Sequence, residues 1–245
     1  MIHLVSHLLV AYVVFVEPWL GYRLYNTLKA QVAAGVAGAK LQFYGMIVIH
    51  QVVVTVLVLA IWRLGSILGT DLGLCLPTSW QILLPFMAGF VPAAGVAMLL
   101  LRKRGDRLLK GTIKMVGAML PVSSAERSWF AGVSVGAGIS EELVFRGFLL
   151  YYIAVNLSAL GSVERIALAS IVFGLCHFYQ GWQGVVGTAV LGAVLAGLYV
   201  TTGSLLLPII LHALIDLRIL LIFTPKRLEA LQTEGTIQAT HEATL

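Results

Sequence analysis

The chain has 245 residues, of which 59% are hydrophobic and 11% charged, against about 25% charged in an ordinary soluble domain. So few charges cannot cover a water-facing surface. With a mean hydropathy of +0.95, the composition excludes a soluble enzyme, a secreted disulfide scaffold and a nucleic-acid-binding domain, and it predicts an all-α polytopic transmembrane helix bundle.

Uninterrupted apolar stretches predict seven spans, at residues 4–20, 43–62, 80–101, 129–153, 163–179, 185–202 and 204–223, with an eighth left open. Each approaches the roughly 17–25 residues that a crossing requires. The first has no basic residue ahead of its apolar core and no small-residue cleavage pattern, so it reads as a span and not as a removed signal peptide. Pro85 and Pro92 in the third span and Pro208 in the seventh predict kinked or irregular backbone. Between the third and fourth spans, Leu101 to Arg127 mixes basic residues with Leu108, Leu109, Ile113, Met115 and Val116. That segment reads either as an amphipathic helix along the membrane interface or as a solvated loop. Gly132, Gly136 and Ser140, and again Gly184, Thr188, Gly192 and Ala196, recur every four residues, a spacing that lets helix backbones approach closely. Cys75 falls in a loop and Cys176 in a helix near the opposite face, so no disulfide is expected. Residues 1–223 read as one membrane domain and 224–245 as a polar tail.

Seven crossings place Arg23, Lys29, Lys40, Arg102, Lys103, Arg104, Arg107, Lys110, Lys114, Arg127, Lys226 and Arg227 on one side and only Arg63 and Arg165 on the other. By the positive-inside rule the richer side is cytoplasmic. The N-terminus is then outside and the C-terminus inside, in the plasma membrane of a bacterium or archaeon.

Ionisable groups inside the spans carry the functional signal, because a charged side chain at mid-helix costs at least about 2.5–3.5 kcal/mol in lipid. In the fourth span Glu142 and Arg146 are four apart and share a face, so they can pair. Glu141 is turned about 100° away, out of easy reach of the same arginine. The fifth span holds Phe173 one turn before His177, and the seventh holds His212 one turn before Asp216. Each cluster alone has a bland reading as a packing pair or a satisfied core group. Three on separate spans are explained together by a polar cavity inside the bundle, although straight perpendicular helices would set the motifs at different depths. A carboxylate and an imidazole in one cavity can activate water, and a second histidine can hold the oxyanion formed when water attacks an amide. His50 with Gln51, His3 with His7, Glu17 beside Pro18 near a span end, and Arg218 are secondary candidates. Cys176 is a poor nucleophile for His177 because helix neighbours point about 100° apart.

Glu141-Glu142-x-x-x-Arg146, Phe173-x-x-x-His177 and His212-x-x-x-Asp216, in this order on three spans, resemble the three motifs of the CAAX-protease and bacteriocin-processing (CPBP, or Abi) family of intramembrane proteases, over about residues 125–220. The resemblance implies a bundle of seven or eight helices and a glutamate-dependent endopeptidase acting on a membrane protein or peptide. It makes Glu141 the base that activates water with help from His177. His212 and Asp216 then stabilise the oxyanion, and Glu142 and Arg146 organise the site. Family members that cut prenylated tails usually carry asparagine where this chain has Asp216. An ionised aspartate cannot donate a hydrogen bond, so Asp216 is either protonated or orients His212. The resemblance implies no metal and no cofactor. The same donor set leaves zinc as the alternative. A non-catalytic membrane regulator, a bacteriocin-immunity protein and an ion- or proton-coupled transporter are the competing functions.

Overall fold

A computed structural model describes residues 2–65, 67–77, 81, 88–89 and 105–228. Helix α1 (Ile2–Ala11) continues through a π segment (Tyr12–Val16) into α2 (Glu17–Ala33), and α3 (Ala39–Leu64) follows. Then come α4 (Gly105–Val116), α5 (Ser124–Glu142), a second π segment (Leu143–Leu149), α6 (Leu150–Asn156), α7 (Ser162–Cys176), α8 (Gly181–Thr202) and α9 (Leu206–Ile222). The all-α expectation holds: the described residues contain no strand. Three stretches, His3–Ala33, Ala39–Leu64 and Phe178–Thr202, are long and apolar enough to cross a membrane. The expected third span, with Pro85 and Pro92, lies almost wholly outside the described residues.

Two expectations resolve differently from the sequence reading: the end of the first span and the kink at Pro208. The first helix does not stop near residue 20, because the π segment immediately before Glu17-Pro18 widens the turn that the proline ring would otherwise clash with. Glu17 therefore sits mid-helix and not at a span end. Pro208 kinks nothing, since α9 begins at Leu206 and the proline falls in its first turn, where a missing N–H is harmless.

Local chemistry fixes the helices that carry the motifs. Ser123 starts α5 with a capping box: its hydroxyl accepts from the Glu126 N–H at 3.2 Å, and the Glu126 carboxylate accepts from the Ser123 N–H at 3.2 Å. One turn in, the Arg127 guanidinium donates to the Phe223 carbonyl at 3.0 Å and the Leu220 carbonyl at 2.5 Å. These are carbonyls that the end of α9 leaves unpaired, so the start of α5 is pinned to the end of α9. At the opposite end the Leu205 N–H donates to the Gly73 carbonyl at 3.0 Å, and the Ser204 hydroxyl to the Cys75 carbonyl at 2.5 Å. The 67–77 segment thus closes the N-terminus of α9.

Close helix approach is carried partly by residues other than the expected small-residue ladders. A Cβ on Gly138 would lie 2.9 Å from the Ile209 carbonyl oxygen of α9, and one on Gly174 would lie 2.6 Å from the Val185 carbonyl oxygen of α8. Gly136 faces the Gln51 side chain of α3, whereas Gly132 has nothing within 4 Å of the same point. Gly138→Val is expected to lower stability by about 1–3 kcal/mol, because backbone cannot yield as a side chain can. Gly132→Val should be near neutral. Thermal unfolding of the two purified variants in detergent checks the contrast.

The main core joins Val13, Val54, Val58, the second π segment, Val172 and Phe173. The outside is as apolar as the inside: Leu8, Phe15, Ile49, Val56, Val163, Val190 and Leu221 are exposed, a surface that lipid covers without penalty. Of the two readings of residues 101–127, helix is the observed one over Gly105–Val116, and Leu109 of α4 packs with Leu120, Phe223 and Leu228. Leu228 is thereby buried although it belongs to the nominally polar tail. Residues 229–245 lie outside the described residues. Both cysteines are free, as expected, Cys75 half-buried and Cys176 buried.

Candidate active site

The three motifs converge. Glu142 is fully buried and Arg146 is 2% exposed, and the Arg146 Nη1 donates to Glu142 Oε1 at 2.9 Å. The pairing expected from their spacing is formed where α5 passes into the π segment. Arg146 Nη2 also donates to the Gly192 carbonyl of α8 at 3.2 Å, and the guanidinium lies 4.3 Å over the Phe173 ring of α7. One buried arginine therefore ties α5, α7 and α8 together.

His212 brings in α9. Its Nδ1 lies 2.6 Å from the same Glu142 Oε1. A carboxylate held by an arginine only accepts, so Nδ1 carries the proton and donates. Glu142, and not Asp216, is thus the group that orients His212. The Asp216 Oδ2 lies 3.8 Å from His212 Nε2, on the opposite side of the ring. The Glu142–His212 hydrogen bond spans seventy positions of sequence, and no helical spacing announces it.

His177 follows the last residue of α7. Its Nδ1 donates to the Phe173 carbonyl at 2.9 Å, because a carbonyl can only accept. The opposite nitrogen, Nε2, therefore faces Glu141, with Oε2 at 3.9 Å. His212 Nε2 lies 3.8 Å from that same Glu141 oxygen. Glu141 Oε2 is inaccessible and takes no hydrogen bond among the described residues. Phe173 packs between the histidines, its ring centroid 4.8 Å from His177 and 6.0 Å from His212.

The depth mismatch disappears because two helices stop inside the bundle. Helix α7 ends at Cys176, and the turn after His177 is covered by α2, with Tyr179 against Tyr25 and Phe178 against Tyr22. The Tyr25 hydroxyl donates in turn to the Met115 carbonyl of α4 at 2.9 Å. Helix α9 starts recessed, with Leu205 beside Gly147. The turn that carries His177 is therefore enclosed by α2.

Two cavities meet at Glu141 and His177. One is lined also by His212, Asp216, Ser134, Thr188 and residues of α4. The other lies between α2 and α3 and is mostly apolar, with Glu17, His50, Tyr25, Cys176 and Tyr179 as its further polar residues. His50 Nε2 is 2.8 Å from the Tyr12 hydroxyl, a partner that helical spacing within α3 could not supply. In the sequence Glu17 stands near a span end because the apolar run thins out just beyond it. Gln51 is buried and donates to the Val133 carbonyl at 3.1 Å. His7 bonds the Tyr152 hydroxyl at 2.7 Å, and Arg218 donates to the Ile215 carbonyl and not to Asp216. Among the described residues, no three His, Cys, Asp or Glu side chains are grouped so as to hold a metal ion.

Three helical segments thus deliver carboxylates, imidazoles and a guanidinium to one interior polar site in an integral membrane protein. Residues 123–218 match the family model described as type II CAAX prenyl endopeptidase Rce1-like. That stretch contains all three motifs, and over it the chain is similar to the Rce1-like type II CAAX prenyl endopeptidases. No curated protein and no solved structure matches the chain. At the level of the family the match supports a membrane-embedded peptidase with a membrane protein as its substrate.

Proposed function

We propose that this chain is an intramembrane endopeptidase that hydrolyses a peptide bond of a membrane protein or membrane-associated peptide with water activated by Glu141 and His177. The observation that carries this reading is the position of Glu141 Oε2, 3.9 Å from His177 Nε2 and 3.8 Å from His212 Nε2. Such distances are too long for direct hydrogen bonds and suit one bridging water.

In this reading the water donates one hydrogen to Glu141 and the other to the lone pair of His177 Nε2, and its oxygen attacks the scissile carbonyl. Glu141 keeps the abstracted proton and returns it to the leaving amine. His212, facing Glu141, Glu142 and Asp216, works as the imidazolium, and its Nε2–H points at the developing oxyanion. Asp216 favours that charged form electrostatically without donating a bond. Glu142 and Arg146 are positioning residues, because they fix His212 and Phe173. The experiment is cleavage of a single-span peptide library by the purified full-length protein in lipid vesicles, with products read by mass spectrometry. New fragments support the reading, and an intact library contradicts it.

No step here calls for a metal, so exhaustive chelation is expected to leave the rate within about twofold of the untreated value. Loss in chelator with recovery on adding zinc would favour zinc-bound water instead.

The orientation proposed is N-terminus outside and C-terminus cytoplasmic, from the twelve-to-two partition of basic residues. In a background without native cysteines, an impermeant thiol reagent on intact cells should reach a cysteine at position 70 and miss ones at 105 and 235. Labelling at 105 would invert the topology.

A further inference from the structure

The cavity between α2 and α3 holds a carboxylate that the proposed hydrolysis does not use. Glu17 Oε2 is inaccessible and accepts no hydrogen bond among the described residues, and none of their cations forms an ion pair with it. A carboxylate left unpartnered inside a membrane bundle is penalised unless something hydrates or pairs it. Among the described residues no other group of the wall bonds this oxygen. Leu20, Leu24, Met46 and Ile47 are apolar, and the Nε2 of His50 is engaged with the Tyr12 hydroxyl at 2.8 Å. Yet the same cavity is also lined by Glu141 and His177, so whatever meets Glu17 sits beside the scissile bond.

We propose that Glu17, at the apolar cavity between α2 and α3, is a specificity site that binds the cationic side chain of a lysine or arginine next to the cleaved bond. This rests on the proteolytic reading of Glu141. The chemistry fits each part of the wall: an aliphatic stem lies along Leu20, Met46 and Ile47, and its charged head reaches the half-buried Glu17 carboxylate where it faces the cavity. A substrate carrying the cation removes the penalty of the orphan carboxylate, whereas a neutral substrate leaves it in place. That difference is the source of selectivity. Glu17 lies outside residues 123–218 that match the family, so the preference belongs to this chain's own first helices and not to the shared motifs. The π segment Tyr12–Val16 directly before Glu17 resets the rotation of α2 and turns this side chain inward.

The test measures binding and needs no turnover. Two end-blocked tripeptides, acetyl-Leu-Lys-Leu-amide and its norleucine counterpart, are titrated into full-length protein in nanodiscs. Wild type should bind the lysine peptide about 10-fold or more tightly than the norleucine peptide, the scale of a charge-assisted hydrogen bond. In Glu17→Gln the ratio should fall to within about twofold, with the norleucine peptide still bound as evidence of an intact cavity. If Glu17→Gln binds neither peptide, Glu17→Asp decides: a retained lysine preference supports the site and a lost one overturns it. Equal binding of the two peptides by wild type, no binding of the lysine peptide, or a preference that persists in Glu17→Gln also overturns it. A protein that discriminates the peptides but cleaves nothing would refute the peptidase and keep the site. One that cleaves without discriminating would do the reverse.

Discussion

Glu141→Gln is expected to slow cleavage by about 100-fold or more while the protein remains folded. The amide keeps the size of the carboxylate and its place between the two imidazoles, but it has no lone pair basic enough to take a proton from water. Among the described residues Glu141 makes no hydrogen bond through Oε2 and is not the hydrogen-bond partner of Arg146, so the substitution removes little that holds the bundle together. His177→Gln should produce a loss of similar size, because Nε2 no longer fixes the second hydrogen of the water. Rates measured in vesicles at saturating peptide, alongside unchanged thermal unfolding, separate a chemical effect from a folding effect. A Glu141→Gln protein that cleaves at the parental rate would end the water-activation account.

Glu142→Gln should act on stability first. The carboxylate is fully buried and accepts from both Arg146 and His212 through Oε1. Neutralising it leaves the Arg146 charge without a counterion in a site shut off from water, a change worth about 3–5 kcal/mol. Much of the protein is then expected to misfold or to unfold far below the parental temperature. The paired change Glu142→Leu with Arg146→Met removes both charges and should recover most of that loss, since apolar replacement of a buried pair is often neutral. Activity should stay low in the double variant, because nothing then holds the proton and orientation of His212. Thermal unfolding and cleavage measured on the single and double variants distinguish the two effects. Equal stability of Glu142→Gln and wild type would show that the pair carries no structural weight.

The parts of this site that were legible in the sequence are those that helical spacing encodes. Glu142 with Arg146, Phe173 with His177 and His212 with Asp216 each fall one turn apart, and each stands out because charges are scarce in apolar runs. What joins the pairs was not legible. The bond from His212 to Glu142 and the guanidinium over Phe173 connect different helices, and periodicity says nothing about which faces meet. Residue counting set the motifs at different depths because it assumes that every helix crosses fully, whereas α7 turns back inside the bundle and α9 starts recessed. The extension of the first helix past Pro18 escaped for a related reason. A π segment has no apolar signature distinct from that of an α-helix, and it moved Glu17 from a supposed span end to the wall of a cavity. The small-residue ladders were read from spacing alone, but Gly138 and Gly174 carry tight contacts outside them, a property of the partner helix and not of the ladder.

The most direct measurement of the central claim is cleavage in heavy-oxygen water by metal-stripped, full-length protein in vesicles, with the peptide products weighed. Hydrolysis at this site predicts fragments whose new carboxyl terminus carries one heavy oxygen, formed with chelator present and absent when Glu141→Gln replaces wild type. No fragment from any peptide, or labelled fragments produced equally by the Glu141→Gln protein, would contradict it.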